Sequence, residues 1–125
     1  MVIDDEQSDQ MMHERIMRKS GLVDDIIAFT YADEALAFLR NAPDMRIDGI
    51  FLDINMPRMT GIEFLEAVEM EMPHRVMPVV MILTTSTNPR DRIWAERLHL
   101  VRGFVSKPLT MADLDRMAAL VAETA

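Results

Sequence analysis

The chain contains no cysteine, which excludes disulfides, thiol nucleophiles and thiolate metal sites, so any metal must be held by oxygen or histidine ligands. The same lack suits a reducing compartment, and a cytoplasmic location is expected. No apolar run is long enough to cross a bilayer: the longest, Val79-Val80-Met81-Ile82-Leu83, falls far short of the roughly 20 residues a spanning helix needs. A basic segment followed by an apolar one is missing from the N-terminus, so no secretory signal is read there. Positive charge is also scarce. Thirteen Lys and Arg face 21 Asp and Glu, a net charge of -8, so the average field repels nucleic acid and anionic membrane and neither is an expected partner. Repeats, low-complexity tracts and Gly/Ser linkers are missing too, and 125 residues, half of them hydrophobic, suit one core. The 13 methionines are read as core filler.

What is present is an alternation of short apolar runs and longer helical patterns. Met1 to Ile3 is an apolar start that stops at Asp4-Asp5; Met12, Ile16 and Met17 then have helical spacing, ended by Ser20-Gly21. Asp25 to Thr30 carries Ile26, Ile27 and Phe29 as a second strand, and Ala35, Leu36 and Leu39 mark a helix ending near Asn41-Ala42-Pro43. Gly49 to Leu52 closes on Asp53, and a turn through Pro57 and Gly61 enters a helix with Ile62, Leu65 and Val68. The run at Val79 to Leu83 does not alternate, as expected of a central parallel strand buried on both faces, and it ends on Thr84-Thr85-Ser86. A helix starting near Pro89 takes in Ile93, Trp94 and Leu98, and Gly103-Phe104-Val105 is a fifth strand stopping at Lys107-Pro108. Thr110 caps the last helix, whose inner face is Leu114, Met117, Leu120 and Val121.

Strands alternating with helices in this way predict a doubly wound, five-stranded parallel sheet with helices on both faces. Ligands of such sheets sit at the carboxyl ends of the strands. Four of those ends carry Asp4-Asp5, Asp53, Thr84 and Lys107, which should converge on one crevice. Taken singly, each is an ordinary cap, turn or strand exit; independent caps and turns have no reason to coincide at successive strand ends. Clustered carboxylates repel one another, so either a cation joins them or at least one pKa rises. A few carboxylate oxygens, with remaining positions left to water and phosphate, suit Mg²⁺. Phosphoryl transfer to a carboxylate nucleophile is the chemistry a metal, a lysine and a hydroxyl would serve there.

The segments Val2-Ile3-Asp4-Asp5-Glu6, Leu52-Asp53-Ile54-Asn55-Met56-Pro57 with Gly61, Leu83-Thr84 and Phe104-Val105-Ser106-Lys107-Pro108, in this order and spacing, resemble the receiver domains of bacterial two-component response regulators over nearly the whole chain. The resemblance implies a flavodoxin-like sheet of strand order 2-1-3-4-5, one receiver domain over 1–125 with no output domain, and a signalling role rather than a dedicated enzyme. It implies a phosphoryl group taken from a histidine kinase or histidine phosphotransfer protein and Mg²⁺ dependence, with the output left open among a phosphorylation-controlled affinity for a downstream target protein, relay of the phosphate to another histidine, and a phosphate sink. By the same resemblance Asp53 is the phosphoacceptor, Asp5 a direct metal ligand, Asp4 a ligand largely through water, and Asn55 a ligand through its backbone carbonyl. Lys107 would pair with Asp53 and then with a phosphoryl oxygen, Thr84 would hydrogen-bond another, and the bond before Pro108 would be cis.

Three features depart from the family pattern. Gap-free counting back from Lys107 puts the hydroxyl on Thr85, whereas the strand end puts it on Thr84. The switch aromatic, often tyrosine in the family, is Phe104, and only three residues precede Asp4. Among other readings, a haloacid-dehalogenase-type phosphatase is disfavoured by Asn55 where that family has a second aspartate. A flavodoxin is disfavoured because Asp4-Asp5-Glu6 would repel a flavin phosphate. A receiver-like docking module that works without phosphorylation is the nearest rival.

Overall fold

A computed structural model describes residues 1–73, 75–84 and 89–124. The elements are β1 (Val2–Ile3), α1 (Gln7–Ser20), β2 (Ala28–Phe29), α2 (Ala32–Asn41), β3 (Gly49–Asp53), α3 (Gly61–Glu71), β4 (Val79–Thr84), α4 (Pro89–Glu96), β5 (Val101–Ser106) and α5 (Met111–Thr124). The strands form one sheet in the order β2-β1-β3-β4-β5, every neighbouring pair parallel. This is the doubly wound, flavodoxin-like architecture read from the sequence.

Side chains on a strand alternate between faces, and the core divides accordingly. On one face Ile3, Ile50, Leu52, Val80 and Ile82 pack with Leu36 and Leu39 of α2, Phe64, Leu65 and Val68 of α3, and Ala95 of α4. On the other, Val2, Phe51, Val79, Met81, Leu83 and Val105 meet Met17 of α1 and Leu114 and Met117 of α5. β4 contributes to both faces, which is why its apolar run is continuous.

Local signals set the helix starts. Thr60 closes a capping box with Glu63, each side chain bonded to the other's backbone N–H. Thr110 makes the equivalent exchange with Asp113 ahead of α5. The Gly61 N–H bonds the Ile54 carbonyl at 2.9 Å, and a Cβ at Gly61 would stand 2.3 Å from the Asp53 carbonyl oxygen. Glycine there lets α3 start against the end of β3.

Four details differ from the sequence reading. The buried line of α1 is His13 and Met17 with Ile16 half-buried, while Met12 is 52 % exposed. The apolar stretch 25–30 pairs as strand only at Ala28–Phe29, as befits a sheet edge with one neighbour. α4 ends at Glu96, so Leu98 lies beyond it, and Ala95 is the residue it buries, with Ile93 and Trp94 turned outward. β5 begins two residues before Gly103 because Val101 already pairs with Val80.

Candidate phosphoacceptor and metal site

β1 and β3 are adjacent and parallel, so the residues leaving their carboxyl ends emerge side by side. Asp4, Asp5 and Asp53 each offer an oxygen, and these atoms lie within 4.8 Å of one another. Asp4 is fully buried and Asp53 nearly so, while Asp5 is half-buried. Asp4 turns one oxygen back to the Glu6 N–H at 3.0 Å, which shapes the loop into α1. The Gln10 amide donates to the carbonyls of Asp4 at 3.1 Å and Phe29 at 2.6 Å, tying α1 to the ends of β1 and β2.

Lys107 enters from the end of β5. Its peptide bond to Pro108 is cis, as expected, and its backbone N–H donates to the Thr84 carbonyl at 3.3 Å. The ammonium reaches Asp4 Oδ2 at 2.9 Å, Asp9 Oδ2 at 3.1 Å and Asp53 Oδ2 at 3.2 Å. Thr84 is the last residue of β4, half-buried and paired in register with Ser106; the alternative hydroxyl, Thr85, lies outside the described residues. Asn55 sits in the exposed bend two residues past Asp53. The turn that follows is anchored at Arg58, whose positive φ of 72° is sustained by an ion pair to Asp33 and by stacking 4.1 Å over the Tyr31 ring.

Burial pushes the Asp53 carboxyl up to about 6; Lys107 pulls it down, and Asp4 and Asp5 push it further up. Burial also acts to lower the Lys107 pKa, but its bonds and charge interactions with Asp4, Asp53 and Asp9 outweigh that and raise it. The two shifts are compatible, since one ammonium gains from three carboxylates whereas Asp53 receives only a share of one cation. A crevice with this excess of hard oxygen donors fits a divalent cation.

Of the residues singled out in the sequence, the structure brings Asp4, Asp5, Asp53 and Lys107 together, while Asn55 lies two residues past Asp53 and Thr84 ends β4. The sequence reading missed Asp9 and His13. His13 is buried with Nδ1 3.7 Å from Asp4 Oδ2, and its burial, only partly offset by Asp4, lowers its pKa. The signal was the spacing Asp9, His13, Met17, two successive i, i+4 steps that define the face of α1 turned to the sheet.

The family model for the response regulator receiver domain matches residues 1–119. The chain belongs to that family. This receiver domain is 29 % identical to response regulator Rcp1 of Synechocystis sp. over 94 % of its own length and 81 % of that protein's. It is 30 % identical to the two-component response regulator ARR5 of Arabidopsis thaliana, covering 94 % of this chain and 66 % of ARR5, so it spans slightly less than two thirds of that relative. In structure it superposes on a two-component response regulator from Cytophaga hutchinsonii with a TM-score of 0.89 at 29 % identity, covering 98 % of this chain and 94 % of the other. The Mn²⁺-bound form of Rcp1 matches with a TM-score of 0.75 at 26 % identity, covering 98 % and 89 %. Receiver domains are signalling modules of two-component systems rather than dedicated enzymes, and the acidic crevice of this one has a donor set that fits a divalent metal. Among the described residues no helix is long and apolar enough to cross a membrane.

Proposed function

We propose that this receiver takes a phosphoryl group from a phosphohistidine onto Asp53 and changes its affinity for a protein partner as a result. The observation that carries this reading is the contact of the Lys107 ammonium with Asp4 and Asp53 at the mouth of the three-carboxylate cluster. Asp5, Asp53 and the Asn55 backbone carbonyl would hold Mg²⁺ directly and Asp4 through water; a Mn²⁺-bound Rcp1 fits the same assignment. Bound there, Mg²⁺ would offset the clustered negative charge and the charge that builds on the transferred group.

In the transfer, an Asp53 carboxylate oxygen attacks phosphorus and forms the P–O bond of an acyl phosphate. The P–N bond to the donor imidazole breaks, its electron pair returning to the ring nitrogen. Lys107 draws one phosphoryl oxygen and the Thr84 hydroxyl donates to another, which holds the group in line. The donor is a histidine kinase or histidine phosphotransfer protein, met in the cytoplasm, and the domain assists its own phosphorylation and dephosphorylation through these same groups.

Incubation with a small acyl-phosphate donor and Mg²⁺ tests the reading. Mass spectrometry should place one base-labile phosphate on Asp53, and Asp53→Asn should remain unlabelled. A phosphate on another residue, or normal labelling of the variant, would overturn it.

A further inference from the structure

Lys107 has one partner more than the phosphoacceptor reading requires. Its Nζ bonds Asp9 Oδ2 at 3.1 Å although the two residues are 98 apart in sequence. An ammonium has three protons; here it donates to Asp9 and Asp53 and stands in an ion pair 2.9 Å from Asp4. Two of the three, Asp4 and Asp53, also belong to the cluster whose oxygens suit a divalent cation; Asp9 does not. Oxygens shared between an ammonium and a divalent cation bind each less well than they would bind it alone. Asp9 is thus the one partner that Lys107 does not share with the metal cluster. Its backbone is fixed, because His13 and Met17 one and two turns further along α1 are buried.

We propose that Asp9 is a positioning residue for Lys107. It keeps the ammonium beside Asp53 when Asp4 and Asp53 serve a divalent cation, so that the lysine is already in place for an incoming phosphoryl oxygen. This rests on the Asp53 phosphoacceptor reading. A carboxylate in the first turn of a helix also favours the helix dipole, but that role is met from any direction in solvent and gives no reason for an ion pair with the end of β5.

The chain has only two lysines, Lys107 and the exposed Lys19, so selective ¹⁵N-lysine labelling yields two ammonium signals that are told apart by exposure. In the unaltered protein the Lys107 signal should persist, slow to exchange, with and without saturating Mg²⁺. In Asp9→Asn it should persist without Mg²⁺, held by Asp4 and Asp53, and broaden toward the Lys19 signal once Mg²⁺ is added. Labelling of Asp53 by the acyl-phosphate donor at saturating Mg²⁺ should slow roughly tenfold in Asp9→Asn, the scale of one charge-assisted hydrogen bond, and recover in Asp9→Glu. Thermal unfolding in chelator reports whether Asp9→Asn keeps its fold. A Lys107 signal in Mg²⁺-loaded Asp9→Asn identical to that of the unaltered protein overturns the role of Asp9 and leaves the phosphoacceptor reading standing. Failure of the unaltered protein to bind Mg²⁺ in calorimetry overturns both.

Discussion

The Lys107 ammonium stands closer to Asp4, at 2.9 Å, than to Asp53, at 3.2 Å. The lysine is therefore a counter-ion for the whole crevice and not for Asp53 alone. Asp4 can be fully buried because that cation, the Glu6 N–H and the His13 ring surround it.

Removal of Asp5 should separate metal binding from folding. Asp5 is half-buried, more open than Asp4 and Asp53, and its charge raises the Asp53 pKa, so Asp5→Ala relieves repulsion while deleting a proposed ligand. Calorimetry should show Mg²⁺ affinity reduced by about tenfold or more. The midpoint of urea unfolding in chelator should hold steady or rise slightly.

Stability in chelator should depend on pH through Asp53, whose folded pKa is about 6 against an ordinary 3.8. Between these values the folded protein holds a proton that the unfolded chain has released. Stability contributed by this group is therefore lost as pH rises from about 4 to about 6, and the full cost, about 2–3 kcal/mol, stands at neutral pH. Asp53→Asn lacks the titration. Urea unfolding at pH 4 and pH 7.5 should show the variant gaining on the unaltered protein by that amount at the higher pH; an equal gap at both values would contradict it.

Thr84 and Phe104 should carry the phosphorylation signal outward. A Thr84 hydroxyl drawn to a phosphoryl oxygen vacates space that the Phe104 ring, half-buried on the neighbouring strand, can enter. Outside, Arg92 of α4 lies 4.7 Å over that ring, so a ring rotation would be felt by α4, while Arg116 of α5 holds the Phe104 backbone carbonyl at 2.7 Å. A full swing from 1:99 to 99:1 needs about 5.5 kcal/mol of differential binding, so a partial shift is expected. Thr84→Ala should keep Asp53 labelling measurable and shrink the phosphorylation-dependent NMR shifts of the Phe104 ring and α4 amides. Undiminished shifts would remove Thr84 from the pathway, and their loss in Thr85→Ala would assign the hydroxyl to Thr85.

Gly61 should resist substitution although it starts an ordinary helix. The Cβ of Gly61→Ala would meet the Asp53 carbonyl oxygen at 2.3 Å and the Ile54 Cα at 3.0 Å, backbone atoms that cannot step aside singly. A loss of about 1–3 kcal/mol in urea unfolding is expected, together with weaker Mg²⁺ binding because the displaced strand end carries Asp53.

Those parts of the fold and the site that follow from the sheet were legible in the sequence. The continuous apolar run of β4 marks a strand covered on both faces, and β4 is indeed interior, between β3 and β5, although the centre of the sheet is β3; Asp53 and Lys107 come together because parallel strands deliver their carboxyl ends to one edge. What helices and edges decide was harder to read. Met12 has an apolar side chain at plausible helical spacing yet faces solvent, because the line taken inward begins with Asp9 and His13, polar residues that the hydrophobic period discounts. Asp9 drew no notice because acids are common in the first turn of helices. The extent of β2 was overestimated because an edge strand pairs only as far as its one neighbour reaches, and β1 offers two residues.

That two-residue β1 has a consequence for motion. The ladder from β3 to β4 runs over five register pairs, whereas β1 meets β2 over two, so native-state amide exchange should be slowest in β3 and β4 and fastest on the β2 side. The Asp4 amide is itself bonded to the Phe29 carbonyl at 3.1 Å, and Gln10 grips that same carbonyl. Opening of the β2 edge therefore releases one wall of the acidic loop before the rest of the sheet loosens. Since a cation that binds only the closed loop draws the equilibrium toward it, Mg²⁺ should slow exchange at Asp4 and also at the β2 amides, which carry no proposed ligand. Local opening at this edge and metal affinity are then two measurements of one equilibrium.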